Sequence, residues 1–148
     1  MTTLDLKGSY WVRLYGAPGE LKAERRGENV VTTVGKEFVA SFLKSAAAAA
    51  ATFTCKYMAV GTDSTAEAVG NTALGTELAR TTGTASYTSG GIYNIVATFA
   101  SGTGTGAIVE YGLFSSSTGG TLFSRDTEPV VNKGANDSLI VAYELTIS

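Results

Sequence analysis

Histidine is absent from this chain of 148 residues, and Cys55 is its one cysteine. Histidine is the usual base for a serine nucleophile, and clusters of His and Cys bind zinc, iron and copper, so sites of these kinds are excluded. A single cysteine also excludes a disulfide within the chain, and its neighbours predict a small buried side chain. We therefore expect a protein that is not an enzyme and that uses no cofactor and no metal.

Long apolar runs and an excess of one charge are missing too. No segment approaches the roughly 18 continuous apolar residues of a membrane span, and the first seven residues lack the apolar core of a signal peptide. The net charge of −2 argues against a polybasic surface for nucleic acid or lipid. We expect a soluble intracellular protein with no nucleic-acid partner and no membrane partner.

Three groups of residues have a possible chemical role beside an ordinary structural one. Ser41 and Lys44 would form a serine–lysine pair, but the sequence offers no third group to support it. Gly102, Gly104 and Gly106 lead into a predicted strand, whereas a phosphate-binding loop leads into a helix, so they predict a hairpin turn. Four residues predicted in turns would suit calcium, although such side chains are more often solvated: Asp126, Glu128, Asn136 and Asp137.

The charges are distributed unevenly along the chain. Residues 1–56 hold eight Lys or Arg and five Asp or Glu, a net charge of +3, whereas residues 57–148 hold three and eight, a net charge of −5. One interpretation is chance. The other is a chain that presents a basic side to one partner and an acidic side to solvent.

Alternation of apolar and polar residues, which is typical of β-strands, recurs along most of the chain. The clearest case is 138–147, where every second residue is apolar and points to the same side. Residues 92–99 have apolar side chains on both sides, which predicts a central strand or a strand at a subunit contact. The predicted strands are 9–15, 20–26, 30–33, 53–60, 92–99, 107–114, 121–125 and 138–147.

Turn signals separate these strands. Proline before glycine predicts a turn at 17–19, and 27–29 predicts a second turn with a hairpin-like return. Residues 61–83 are rich in Gly, Thr and Ala and predict a long loop, with a helical turn at 73–78 as an option.

One helix is predicted near residues 34–46, because five apolar residues recur there at spacings of three and four. Thr32 or Thr33 is its candidate N-cap, and Glu37 is expected in the first turn. The six alanines 46–51 either extend the helix or form a connector. The apolar residues are Val34, Phe38, Val39, Phe42 and Leu43.

These elements predict a mainly β protein with an antiparallel β-sandwich fold and one helix. The sandwich is expected to be a single domain covering residues 9–148, because the chain length suits one domain. Residues 1–8 lack a strong strand or helix pattern and are expected to form an N-terminal arm.

Two features of the predicted strands have alternative interpretations. Glu110 lies in the middle of an apolar strand, so it is either on an exposed sheet face or paired with Arg80 or Arg125 to fix a loop or a subunit contact. The aromatic residues Tyr10, Trp11 and Tyr15 lie in one strand, and they either pack in a core or interface or bind a sugar.

Five sequence blocks occur in an order that is informative as a set. The first is the strand 106–114, which contains Glu110, Gly112, Leu113 and Phe114. The other blocks are 58–62, 72–80, 119–125 and 131–134. Over about residues 29–148, this ordered set resembles the small β-structured virion proteins of tailed bacteriophages, most of all the capsid decoration (cement) proteins.

This resemblance implies jelly-roll connectivity and a structural protein that binds the outer surface of the mature capsid and stabilises it. It implies the major capsid protein as partner, self-association as a homotrimer, a place on the virion capsid and assembly in the host cytoplasm. The alternatives are a tail-fibre, collar or baseplate component and a carbohydrate-binding jelly-roll module. Because the N-terminal part is basic, the expected capsid contacts are Lys7, Lys22, Arg25 and Arg26, with the loop 61–83 as the second candidate.

Overall fold

The computed structural model describes residues 4–44 and 54–148. Within them lie ten strands and one helix: β1 (Leu6–Tyr15), β2 (Leu21–Glu28), β3 (Val30–Val31), α1 (Thr33–Lys44), β4 (Tyr57–Gly61), β5 (Glu77–Thr82), β6 (Thr84–Thr88), β7 (Ile92–Phe99), β8 (Gly106–Phe114), β9 (Leu122–Lys133) and β10 (Ser138–Ile147). The alanines 46–51, Phe53 and the first three residues of the expected arm lie outside the described residues.

The strands form two five-stranded antiparallel sheets that pack face to face, so the predicted mainly β sandwich is confirmed. The first sheet has the order β2-β1-β10-β7-β6, and the second has the order β3-β9-β8-β4-β5. Apolar side chains from both sheets form one core between them. Its most deeply buried members include Tyr10, Met58, Val60, Ile95, Phe99, Ile108, Tyr111, Leu113, Leu139 and Val141.

Jelly-roll connectivity, in which most successive strands alternate between the sheets, is present only in part. The connections β2–β3, β5–β6, β7–β8 and β9–β10 cross between the sheets. The pairs β1–β2, β4–β5, β6–β7 and β8–β9 stay within one sheet as neighbours. The turn at 17–19, which the sequence predicts, joins β1 and β2, and these two strands are paired neighbours.

The strand predicted at 138–147 is confirmed as β10. Its alternate residues from Leu139 to Leu145 are buried, because the period of two places them all on the core side. β1 pairs with β10 along its whole length, from Leu6 opposite Ile147 to Tyr15 opposite Ser138. Residues 6–8 therefore belong to the sandwich and not to a free arm, since their backbone groups complete this ladder.

The turn predicted at 27–29 is wrong. β2 continues through Gly27 and Glu28, which pair with β1. The chain then passes at Asn29 to the other sheet, where Val30 lies opposite Arg125 of β9. The expected hairpin return is instead a crossing between the two sheets at one edge of the sandwich.

The predicted helix is confirmed as α1, which begins at Thr33, one residue before the predicted start, and is described as far as Lys44. Thr32 is its N-cap, because the backbone N–H of Gly35 donates to Thr32 Oγ1 at 3.0 Å. Glu37 lies beyond the first turn, so the expected interaction with the helix dipole is not made there. A Cβ at Gly35 would lie 2.4 Å from the backbone oxygen of Phe123, so glycine allows α1 to pack closely on β9.

Residues 61–83 are not one long loop, because β5 begins at Glu77 and pairs with β4. The optional helical turn at 73–78 does not form. β6 follows β5 directly after Gly83 and pairs with β7. Both are edge strands with few buried side chains, so their sequences lack the apolar alternation that marks the central strands.

Candidate functional site

The connection between β4 and β5, residues 62–76, is a compact loop whose ends meet. The backbone N–H of Thr62 donates to the carbonyl oxygen of Thr76 at 3.0 Å. A loop of this length with closed ends is an Ω loop, a kind of surface segment that often carries function. We call residues 62–76 the Ω loop.

Glu110 of β8 holds both ends of the Ω loop. Its side chain is 0 % exposed. The carboxylate accepts backbone N–H groups of Asp63 at 3.2 Å, of Gly75 at 2.9 Å and of Thr76 at 2.8 Å. A side chain on a central strand therefore replaces the backbone pairing that a loop lacks.

Arg125 of β9 compensates the charge of Glu110. It is 2 % exposed, and its Nη2 and Nε atoms lie 2.9 and 3.0 Å from Glu110 Oε2. The guanidinium also donates to the carbonyl oxygen of Thr65 at 2.9 Å and to Asn71 Oδ1 at 3.3 Å. The ion pair thus reaches both the ends and the middle of the Ω loop.

This arrangement confirms one of the alternatives for Glu110 and rejects the other two. Glu110 pairs with Arg125 and is not on an exposed face. Arg80 pairs with Glu77 at 2.7 Å and lies over the ring of Phe114 at 3.6 Å. The charged residue within an apolar strand was the only sequence signal for this site, since Asp63, Thr65 and Asn71 resemble ordinary loop residues.

Further contacts fix the outer part of the Ω loop. The backbone N–H of Thr33, at the start of α1, donates to the carbonyl oxygen of Val69 at 2.8 Å. Thr127 donates its hydroxyl to Glu67. Leu74 is buried against the apolar cluster beside β4. The Ω loop is therefore held at several points along its length.

The outward surface of the Ω loop carries small uncharged side chains and one larger apolar residue, Val69, which is 57 % exposed. The other exposed residues include Ser64, Thr65, Ala66, Ala68, Thr72 and Ala73. Small side chains let the backbone of another protein approach closely. The Ω loop therefore offers a partner a surface of fixed shape that carries little charge. Hydrogen bonds from its own backbone to Asp63 lower the pKa of that carboxyl.

The five sequence blocks on which the expected resemblance rests meet in one part of the molecule. They occupy β4, the end of the Ω loop with β5, β8, and both ends of β9. All of these strands belong to the second sheet. Glu110 and Arg125, which hold the Ω loop, lie within two of the blocks.

The four basic residues expected to contact a capsid lie in two different settings. Lys22 Nζ lies 2.9 Å from Asp137 Oδ2, and Arg25 donates to the carbonyl oxygens of Pro129 and Val130 at 3.1 and 2.9 Å. These two side chains thus link β2 to the region of β9 and the turn that follows it.

Lys7 and Arg26 project from the outer face of the first sheet. Lys7 is exposed and lies 3.4 Å from Asp5, an ion pair in solvent. The Arg26 guanidinium lies 5.5 Å from the centroid of the Trp11 ring. The structure therefore does not bring the four basic residues together as one patch.

Among the four calcium candidates, Asp137 and Asp126 have different partners. Asp137 accepts from Lys22 and from the backbone N–H of Gly134, which lowers the pKa of its carboxyl. Asp126 is 1 % exposed and interacts with Glu128. Within residues 4–44 and 54–148, there is no group of three or more His, Cys, Asp or Glu side chains that could hold a metal ion.

Asp126 is an unusual buried carboxyl group. Burial, the charge of Glu128, a hydrogen bond with Glu128 and the charge of Glu67 together raise its pKa to about 8. Among the described residues its Oδ2 atom has no donor to accept from. Because this pKa lies above 7, the Asp126 carboxyl beside Glu128 holds a proton at neutral pH.

The remaining candidate residues from the sequence are Cys55, the aromatic residues of β1 and Ser41. Burial raises the pKa of the half-buried Cys55 thiol to about 12, so it stays protonated. Tyr10 is fully buried in the core, whereas Trp11 is 37 % exposed. Tyr15 and Ser41 lie on the outer side of β1 and on α1.

Comparison with known proteins gives no match: no family model, no curated protein and no solved structure is significantly similar to this chain. In the described part of the chain, no helix has both the length and the apolar character that a membrane crossing requires.

Proposed function

We propose that this chain is a structural protein of a tailed-phage virion, a capsid decoration protein that binds the major capsid protein and stabilises the mature shell. The observation that carries the proposal is the arrangement of the resembling blocks around the Ω loop. The buried charges in these blocks are used to hold that loop in place. The carboxylate of Glu110 already accepts hydrogen bonds from Arg125 and from three backbone N–H groups. It is therefore suited to holding the Ω loop and poorly suited to proton transfer.

We propose that the Ω loop is the docking surface. A loop already fixed by Glu110 and Arg125 loses little conformational freedom on binding, and this lowers the cost of association. A ligand that binds only the assembled lattice stabilises that lattice by an amount that grows with its concentration relative to Kd. Many copies on one shell would therefore resist its disassembly.

The place and number of this chain on virus particles test the function. Mass spectrometry and electron cryomicroscopy of particles produced with this gene are expected to find hundreds of copies spread over the shell. A handful of copies at one vertex would instead support the tail-fibre, collar or baseplate alternative. Absence from the particles would overturn both.

Variants of the two candidate docking surfaces should separate them. Val69→Asp in the Ω loop is expected to weaken binding to expanded empty shells at least about tenfold, because a desolvated charge opposes docking. The double reversal Lys7→Glu with Arg26→Glu is expected to leave affinity within about threefold, since exposed charges mainly affect association rate.

Co-sedimentation at low and moderate salt measures both affinities. Lys22 and Arg25 are left unchanged because both make intramolecular contacts. Changing them would affect folding, and this effect could not be separated from an effect on binding. If the double reversal abolishes binding and Val69→Asp does not, the docking surface is the basic face of β1 and β2.

We further propose that the chain forms a homotrimer and that β6 lies at the subunit contact. β6 is an edge strand without charge, and its Tyr87 is 80 % exposed. The opposite edge, β2, carries five charged residues, which is how proteins protect an edge from pairing. An uncharged edge is therefore the more suitable place for contact with another chain.

Light scattering at micromolar concentration is expected to give about three times the monomer mass of 15.2 kDa. Tyr87→Lys should shift the mass to that of the monomer, because a charge would then lie in the contact. A parent protein that is monomeric both alone and on the shell would contradict the proposal.

A further inference from the structure

The outer face of the first sheet carries a groove of about 220 Å³. One row of its lining side chains is apolar and crosses three neighbouring strands. Trp11 of β1 lies opposite Ala142 of β10, which lies opposite Val96 of β7. The small side chain of Ala142 leaves space between the indole of Trp11 and the 45 % exposed Val96.

The next row along the same three strands is polar. Ser9 of β1 lies opposite Glu144 of β10, which lies opposite Asn94 of β7. Arg26, opposite Trp11 on β2, also lines the groove. These side chains supply a hydroxyl, a carboxylate, an amide and a guanidinium beside a strip of apolar surface.

Neighbouring charges fix the position of the indole ring. The guanidinium of Arg13 lies 3.7 Å from the centroid of Trp11, and that guanidinium donates to Glu24 at 3.0 Å. Stacking of a cation on an aromatic ring is favourable, and Arg13 is itself held by its ion pair. Trp11 is therefore partly ordered before any ligand arrives.

We propose that this groove binds one pyranose ring of a carbohydrate. A pyranose has an apolar C–H face that suits the row of Trp11, and hydroxyl groups that suit the row of Glu144. The opposite charges of Arg26 and Glu144 favour a neutral ligand over an anion. The groove is smaller than the pockets of about 300–1,000 Å³ that hold drug-sized ligands, and this size suits a single ring.

This activity goes beyond capsid decoration. The groove belongs to the first sheet, whereas the Ω loop connects strands of the second sheet. A chain docked through its Ω loop would therefore keep the groove available. Many copies on one particle would multiply a weak affinity for a glycan-coated surface.

The test uses the single tryptophan as its reporter, because Trp11 is the only one in the chain. The full chain is titrated with glucose, galactose, mannose and N-acetylglucosamine while tryptophan fluorescence is recorded. At least one sugar is expected to change the fluorescence with a Kd in the millimolar range, since a ligand of this size makes few contacts. No response to any of the four overturns the proposal.

Variants then locate the binding, measured by titration calorimetry so that tryptophan is not required. Trp11→Ala is expected to weaken binding at least about tenfold, and Asn94→Ala about fivefold. Tyr15→Ala is the matched control, since Tyr15 is aromatic and lies on the same side of β1, four residues from Trp11. Circular dichroism checks that each variant is folded.

Equal loss of binding in Tyr15→Ala and Trp11→Ala would overturn the assignment of the groove. If Trp11→Ala fails to fold, Asn94→Ala and Glu144→Gln carry the test, because both side chains lie on the outer face. Unchanged affinity in these two variants would likewise overturn it.

Discussion

Replacing Glu110 by glutamine is expected to lower the free energy of unfolding by about 3–5 kcal/mol. The change leaves the buried guanidinium of Arg125 with a more distant and partly exposed carboxylate as counter-charge, that of Asp63, whose Oδ2 lies 3.8 Å from Nη2. It also places an amide where a carboxylate accepts three backbone N–H groups. Urea unfolding followed by circular dichroism measures the loss, which corresponds to a fall in Tm of about 10 °C for a chain of this size.

The matched control is Glu24→Gln, which removes an exposed partner of Arg13. That pair has the same separation of 3.0 Å, but both side chains are well exposed. Its loss is expected to cost no more than about 1 kcal/mol, because water screens it. Similar effects for the two variants would contradict the role assigned to the buried pair.

The same substitution should release the Ω loop before the whole protein unfolds. Hydrogen exchange at the backbone N–H groups of Asp63, Gly75 and Thr76 is expected to become faster in Glu110→Gln, because their acceptor is weakened. Amides in β10, remote from the loop, report global unfolding. If both sets accelerate equally under native conditions, Glu110 stabilises the sandwich as a whole and does not anchor the Ω loop specifically.

The variant Asp126→Asn is expected to gain stability relative to the parent protein as pH rises from about 4 to about 8. In this range the folded parent keeps a proton on the Asp126–Glu128 pair, whereas the unfolded chain releases it. The parent therefore loses up to about 1.4 kcal/mol of unfolding free energy per pH unit from this pair, and the loss levels off above the raised pKa. Asparagine cannot ionise and removes this slope.

Urea unfolding of both proteins at several pH values measures the difference between them. Asp137→Asn is the control with opposite sign, because the lowered pKa of Asp137 stabilises the fold above its unfolded pKa and that contribution is lost as pH falls. Its deficit should therefore be present at neutral pH and shrink in acid. A constant difference between Asp126→Asn and the parent across the range would show that the pair holds no extra proton.

Local sequence patterns determined the fold class and several elements of this protein. The alternation in 138–147 predicts β10 correctly, because a period of two puts one set of side chains on the core side whatever strand lies beside it. The spacing that begins at Val34 and the cap at Thr32 predict α1 for the same reason, since both depend only on neighbours in the chain. Glu110 was noticeable because a charge within an apolar strand needs a partner.

Only the tertiary structure decided which groups meet. The edge strands β5 and β6 have little apolar alternation, so they are defined by pairing with β4 and β7. The passage at Asn29 to the second sheet depends on β9, which is distant in sequence. Arg125 was one of two candidate partners for Glu110, and the choice follows from the pairing of β8 with β9. The rows of Trp11 and Ser9 likewise exist only because the register of β1, β10 and β7 aligns them, and register is set by contacts between distant parts of the chain.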